Sequence, residues 1–198
     1  MHPCTELRFI NTDIGFGVFA TDFLPAGTIT YVQDSLDISI DEAQYGSIDS
    51  LLKESVDRYA FIDKNGNRVL CWDHAKYVNH CCHANTISTG YGFELAIRDI
   101  AAGEQVTDDY GLFNLPFGME VVCNLTDCRK YISRDDVARY HSVWDAKIKE
   151  SLKFVDKVPQ ALLPFLVREV KEKVFAYISG KSAYISVLDA QYQNEACI

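Results

Sequence analysis

The rhythm of hydrophobic and polar positions changes once along the chain, near residue 133. Before that point come short runs rich in β-branched and aromatic residues, at 6–10 (ELRFI), 17–21 (GVFAT), 28–32 (TITYV), 59–63 (YAFID), 68–72 (RVLCW) and 93–98 (FELAIR). Turn signals separate them, and they read as strands. Asn65-Gly66, between two of these runs, predicts a hairpin closed by a type I′ turn, which needs positive φ at both residues. Leu24-Pro25-Ala26-Gly27 marks a second turn, and Leu51, Leu52 and Val56 predict one short helix over 47–57. Beyond 133 the apolar spacing becomes helical. Ser133 and Asp136 stand at capping-box spacing, and Val137, Tyr140, Trp144, Ile148, Leu152 and Val155 follow as one stripe. Pro159 and Pro164 interrupt the pattern before a second helix that carries Leu166, Val170, Val174 and Ile178 and stops at Gly180; a last short helix falls over 184–191.

A chain of 198 residues with 48% hydrophobic and 12% aromatic content can bury a full core, so this β-rich body with a helical tail reads as an α+β protein. The formal charge of -9 lacks the basic footprint that phosphate neutralisation requires. It argues against direct nucleic-acid binding and fits a cationic partner better. The first residues, MHPCTELRF, show no signal peptide, and no segment has the roughly 18 consecutive apolar residues of a membrane span. A soluble, intracellular protein is expected. Seven cysteines, an odd number without a secretory signal, favour free thiols plus a metal site over a disulfide framework.

Three segments carry candidate chemistry. The first is IGFGVFA at 14–20, whose G-x-G lacks the third glycine and following helix of a dinucleotide fingerprint. By itself it is a strand-opening turn. The second, KYVNHCCHAN at 76–85, is a dense run of polar and thiol side chains; burying it demands many hydrogen bonds, so it is either a plain loop or a site whose groups have partners. The third, IAAGEQVTDDYG at 100–111, is a turn, a short strand and an aromatic beside acids.

As an ordered set these segments resemble the SET-domain protein-lysine methyltransferases, which carry G-x-G-[VI]-x-A, then R-F-x-N-H-[SC]-C-x-P-N, then G-E-E-L-T-x-D-Y-G. The resemblance spans residues 6–116, and CNLTDCR at 123–129 is similar to a post-SET tail. It implies a small, twisted, β-clip-like SET fold with a pseudo-knot over 1–116, a post-SET-like segment over 117–132 and a helical extension over 133–198. The pseudo-knot brings Asn79, His80 and Tyr110 together. The resemblance further implies methyl transfer from S-adenosyl-L-methionine to the ε-amine of a lysine in a protein or peptide, with Tyr110 as the catalytic tyrosine. Cofactor contacts fall on Ile14, Gly15, Phe16, Gly17, Tyr59, Lys76, Asn79, His80 and Tyr110. The substrate channel falls on Tyr31, Tyr59 and Asp108. For Tyr31 and Tyr59 the competing reading is a core aromatic with a hydrogen-bonded hydroxyl.

The sequence departs from the family in three places. Val121 stands where the post-SET tail has its first cysteine, leaving Cys82, Cys123 and Cys128 as three zinc ligands, with Cys81 or His83 for a fourth; buried free thiols are the alternative. Asp108 replaces the Tyr or Phe two positions before the catalytic tyrosine, which leaves the number of methyls added open. Lys76 replaces the arginine of the middle motif, keeping its charge but losing its planar fork. Two other functions compete: a catalytically silent SET-like module that binds a partner, and a thiol hydrolase using Cys81 or Cys82 with His80 or His83. The helical tail could close the groove, bind a partner or mediate dimerisation.

Overall fold

The structure, a computed structural model, describes residues 1–121 and 126–193. In chain order the elements are β1 (Thr5–Asn11), β2 (Gly15–Ala20), β3 (Ile29–Val32), β4 (Ile38–Ile40), α1 (Glu42–Ser47), α2 (Ser50–Tyr59), β5 (Ala60–Ile62), β6 (Arg68–Leu70), β7 (Asn79–His80), β8 (Thr86–Ser88), β9 (Phe93–Ala96), β10 (Gln105–Asp108), β11 (Met119–Glu120), β12 (Tyr131–Ile132), α3 (Asp136–Leu152) and α4 (Arg168–Ile178). Each of the six runs read as strands contains one. The strands form small sheets ordered β1-β2-β10-β7, β3-β9-β8, β4-β6-β5 and β11-β12. This is the β-rich α+β architecture expected of a SET fold.

The pairing that matters most for the site is parallel. Thr107 of β10 faces Asn79 of β7, and Asp108 faces His80, while β10 also pairs antiparallel with β2 through Val106 and Val18. Three distant segments thus meet at one sheet. Asn85 explains why the middle motif ends in an amide: its Nδ2 donates to the Gln105 carbonyl at 2.8 Å, and its Oδ1 accepts from the Thr107 N–H at 2.8 Å. A buried side chain therefore completes the backbone bonding of β10 where the short ladder cannot.

Local chemistry corrects three details. Asn65 does not have positive φ; Gly66 does, at 86°. The Asp63 N–H donates to the Asn67 carbonyl at 2.9 Å, so Lys64, Asn65 and Gly66 form a three-residue loop with glycine in the left-handed position rather than a two-residue type I′ turn. Asp63 explains the choice, since its Oδ1 accepts from the N–H groups of both Asn65 and Asn67. The Ser133–Asp136 capping box does not form. The helix begins after Asp135, which makes no side-chain cap, and Asp136 turns instead to Arg129. The helix expected over 47–57 is α2, which Asp49 caps through the Leu51 N–H, and a further short helix not expected from the sequence, α1, precedes it because Asp41 with Gln44 builds a capping box.

The helical tail shares the main core. Trp144, Ile148 and Leu152 of α3, Val155 beyond its end, and Val174 of α4 pack with Ile29, Ile87, Phe93 and Leu95 from β3, β8 and β9. A second, smaller core joins Val18, Ala20, Val78, Ala96, Ile100 and Val106 behind the β2–β10 pair. The last helix expected over 184–191 shortens to a 3-10 turn at Val187–Ala190. Asp145 of α3 anchors that segment, accepting hydrogen bonds from Tyr184, Ser186 and the Val187 N–H. Among the described residues no helix is long and apolar enough to cross a membrane.

Candidate active site

A cavity of about 470 Å³ opens between the start of β2, the end of α2 and the β7–β10 pair. This volume lies in the range of small-molecule sites. Its walls include Ile14, Gly15, Phe16, Tyr59, Lys76, Asn79, His80 and Tyr110, eight of the nine residues implied as cofactor contacts. The ninth, Gly17, lies behind the wall. A Cβ there would sit 2.7 Å from Ile10 and Gln105 and 2.9 Å from the Asn79 amide nitrogen, so only glycine lets β2 approach Asn79 this closely. The Asn79 Nδ2 in turn donates to the Phe16 carbonyl at 3.0 Å, which ties the G-x-G strand to the asparagine-histidine motif. Phe16 packs edge-on to Tyr77 and Tyr77 edge-on to Tyr59, giving the cavity an aromatic side.

His80 is held as a neutral ring. Burial lowers its pKa against the opposing pull of Asp109. The Tyr110 N–H donates to its Nδ1 at 3.3 Å, which leaves the proton on Nε2, 3.3 Å from the Cys82 sulfur. Tyr110 lies against His80 and stacks on Phe113, their ring centroids 5.0 Å apart. Its hydroxyl donates to the Val78 carbonyl at 2.7 Å. Burial first, and then the neighbouring carboxyls of Asp108 and Glu94, push the phenol pKa up, so Tyr110 keeps its proton.

A second cavity of about 280 Å³ meets the first at Tyr59, Lys76 and Tyr110, which stand in both walls. Its other lining includes Tyr31, Phe61, Phe113 and Glu94. Tyr31 is buried, donates to Asp37 at 2.7 Å and accepts from the Cys71 thiol at 3.2 Å, so it is a hydrogen-bonded aromatic and a wall of this cavity at once. Burial pushes the Cys71 thiol up to about 12. Asp108 has no exposed surface and does not line the cavity; Glu94, in front of it, does, as does Asp57 at the end of α2. Glu94 escaped the sequence reading. Alternation between buried Phe93 and Leu95 placed it on the opposite face of β9, but nothing in the sequence showed that this face borders a cavity.

Arg129 and Trp144 were also missed. Arg129 forms ion pairs with Asp109 and with Asp136, the latter at 3.0 Å, and the Trp144 indole N–H donates to Asp109 at 3.1 Å. The residue next to Tyr110 is thereby fastened to α3.

The thiols complete only part of a zinc site. Cys82 and Cys128 bring their sulfurs to 3.6 Å, and each accepts a backbone N–H, from Arg129 and Lys130 respectively. Cys123 lies outside the described residues. Among the described residues no group of three or more His, Cys, Asp or Glu is arranged to hold a metal, and two sulfurs do not make the four-ligand structural site.

With the two cavities and the β7–β10 pairing in view, the family is clear. The family model of the SET domain matches residues 15–111, and the chain is a SET-domain protein. SET-domain proteins are generally protein-lysine methyltransferases. A comparison with curated proteins returns no match.

Proposed function

We propose that this chain transfers a methyl group from S-adenosyl-L-methionine to the ε-amine of a lysine in a protein substrate. The observation that carries this reading is the convergence of Ile14, Gly15, Phe16, Tyr59, Lys76, Asn79, His80 and Tyr110, from four separate stretches of sequence, on one cavity that meets a second, mostly apolar one with several aromatic walls. The larger cavity suits the cofactor: it is of small-molecule size, has an aromatic side, and the Gly17 approach leaves β2 backbone at its edge. When bound there, the cofactor supplies an electrophilic methyl on a sulfonium.

The protein's own contribution is placement and desolvation. An in-line displacement needs a neutral amine held on one line with the methyl. Lysine with an ordinary pKa near 10.4 resists this by about 4 kcal/mol at neutral pH. Walls made by Tyr31, Tyr59, Phe61, Tyr110 and Phe113 strip water from the amine and so favour its neutral form. Tyr110 retains its proton and already donates to Val78, so its free lone pairs orient the amine while the hydroxyl itself removes no proton.

The substrate we infer is a basic peptide. Residues 34–63, of which 56–62 line the second cavity, carry eight acidic residues against two basic ones. This field attracts a Lys- or Arg-rich segment on approach. Calorimetry with S-adenosyl-L-methionine, followed by mass spectrometry of lysine-containing peptide arrays, tests the reading. Cofactor binding with methylated lysine is the expected result. Failure to bind the cofactor at millimolar concentration would overturn it in favour of a silent binding module.

A further inference from the structure

The second cavity is apolar and aromatic over most of its wall, yet it carries a carboxyl group, Glu94, on the strand register opposite Tyr31. Behind Glu94 stands Asp108 with no solvent exposure, and the Ser88 hydroxyl bridges the two carboxyls. Ser88, across from Glu94 on β8, sits 3.0 Å from the Glu94 Oε1 and 3.3 Å from the Asp108 Oδ2. Two carboxyls in such contact cannot both ionise, so they share a proton. Asp108, with no solvent exposure, is the costlier of the two to charge and so holds it, while the Ser88 hydroxyl supports a carboxylate on Glu94. Among the described residues neither acid takes part in an ion pair, although the same chain neutralises neighbouring Asp109 with Arg129. Arg58, Arg68 and Lys76 stand on the same wall and the N-terminal ammonium acts on Glu94 from a distance, but none pairs with its carboxylate, so part of its electrostatic cost is left uncompensated.

We propose that Glu94, backed by Asp108, receives the substrate's ε-ammonium in the second cavity and takes its proton before methyl transfer. This rests on the methyltransferase reading and deepens it by giving the amine's proton a destination. The balance is simple: an N–H bond of the ammonium breaks, its electron pair stays on nitrogen, and an O–H bond forms on Glu94. The proton then leaves to solvent, and the carboxylate is restored. Aromatic desolvation alone makes the ammonium unstable without saying where its proton goes.

The surroundings leave this role to Glu94. Tyr31 from β3, Cys71 after β6 and Tyr110 after β10 are all pushed up in pKa, with burial the first cause for each, and stay protonated at neutral pH. Lys76, Arg58, Asp57 and Arg68 stand elsewhere on the wall without pairing to Glu94. Burial also raises both members of the pair, which moves the Glu94–Asp108 couple toward the range useful to a proton acceptor at neutral pH.

The test compares two cofactor analogues on the full chain. S-Adenosylhomocysteine lacks the transferred methyl; sinefungin carries an ammonium-bearing carbon in place of the methylated sulfur and so presents a cation toward the amine's position. Glu94→Gln is expected to leave S-adenosylhomocysteine binding within about twofold and to weaken sinefungin about tenfold, the scale of one charged hydrogen bond. Glu94→Asp is expected to restore most of the preference. On a lysine peptide that the wild type methylates, Glu94→Gln is expected to move the acid limb of the pH–rate profile to higher pH, whereas a structural role would lower the whole profile evenly. An unchanged sinefungin preference with an unchanged limb overturns the assignment while leaving the methyltransferase reading intact. Failure of the wild type to bind S-adenosylhomocysteine overturns both.

Discussion

Asp108 and Asp109 are adjacent on the chain and face opposite halves of the molecule. Asp109 looks toward the helical tail, where Arg129 pairs with it, Trp144 donates to it, and it caps the 3-10 turn that carries Tyr110 through the Gly111 N–H. Asp108 looks into the β-rich body, where its partners are another acid, a serine hydroxyl and the Asp109 N–H. One face of the turn that carries Tyr110 is therefore locked by compensated charge, and the other holds the carboxyl pair beside a cavity. The contrast teaches that the same side chain serves as a rivet or as a reactive group according to whether the fold supplies a cation.

The sharpest way to break this contrast is to remove the cation. Arg129→Ala leaves Asp109 and Asp136 buried without their partner, and urea denaturation is expected to show a loss of about 3–5 kcal/mol. A loss below about 1 kcal/mol would mean that the tail does not fasten the site. Trp144→Phe keeps the bulk of the ring and deletes the bond to Asp109; a smaller loss of about 1–3 kcal/mol is expected, measured the same way.

The smallest effect belongs to the other face and has the opposite sign. Both acids of the Glu94–Asp108 pair have pKa values raised by burial, so the folded protein holds more protons than the unfolded chain between the ordinary carboxylate range and the raised values. Stability then falls as pH rises across that window. Glu94→Gln removes the ionising group and is expected to flatten this fall, making the variant more stable than wild type by about 1 kcal/mol at pH 8 and nearly equal to it at pH 4. A variant destabilised equally at both values would contradict the shared proton.

Much of this arrangement was legible in residue order. Alternation and helical spacing located the six long-range strands and both tail helices because each buries one face, and the three motifs located the first cavity because its walls are backbone turns and motif side chains. The second face was less legible. Asp109 with Arg129 is an interaction across 20 residues and Glu94 with Asp108 one across 14, and no local pattern encodes which distant group a carboxylate meets. The Asn65 turn and the short helix α1 were missed for a related reason. Asp63 and Asp41 decide them by bonding to backbone N–H groups, a competition that strand and helix periods do not record.

The central claim is tested most directly by methyl transfer from labelled S-adenosyl-L-methionine to lysine-containing peptides, wild type against Tyr110→Phe, with cofactor binding measured on both. Methylated lysine is expected from the wild type, with turnover lower by about 10²-fold in the variant and cofactor affinity nearly unchanged. Full turnover by Tyr110→Phe would contradict the role given to its hydroxyl, and a wild type that binds no cofactor and methylates no lysine would contradict the claim itself.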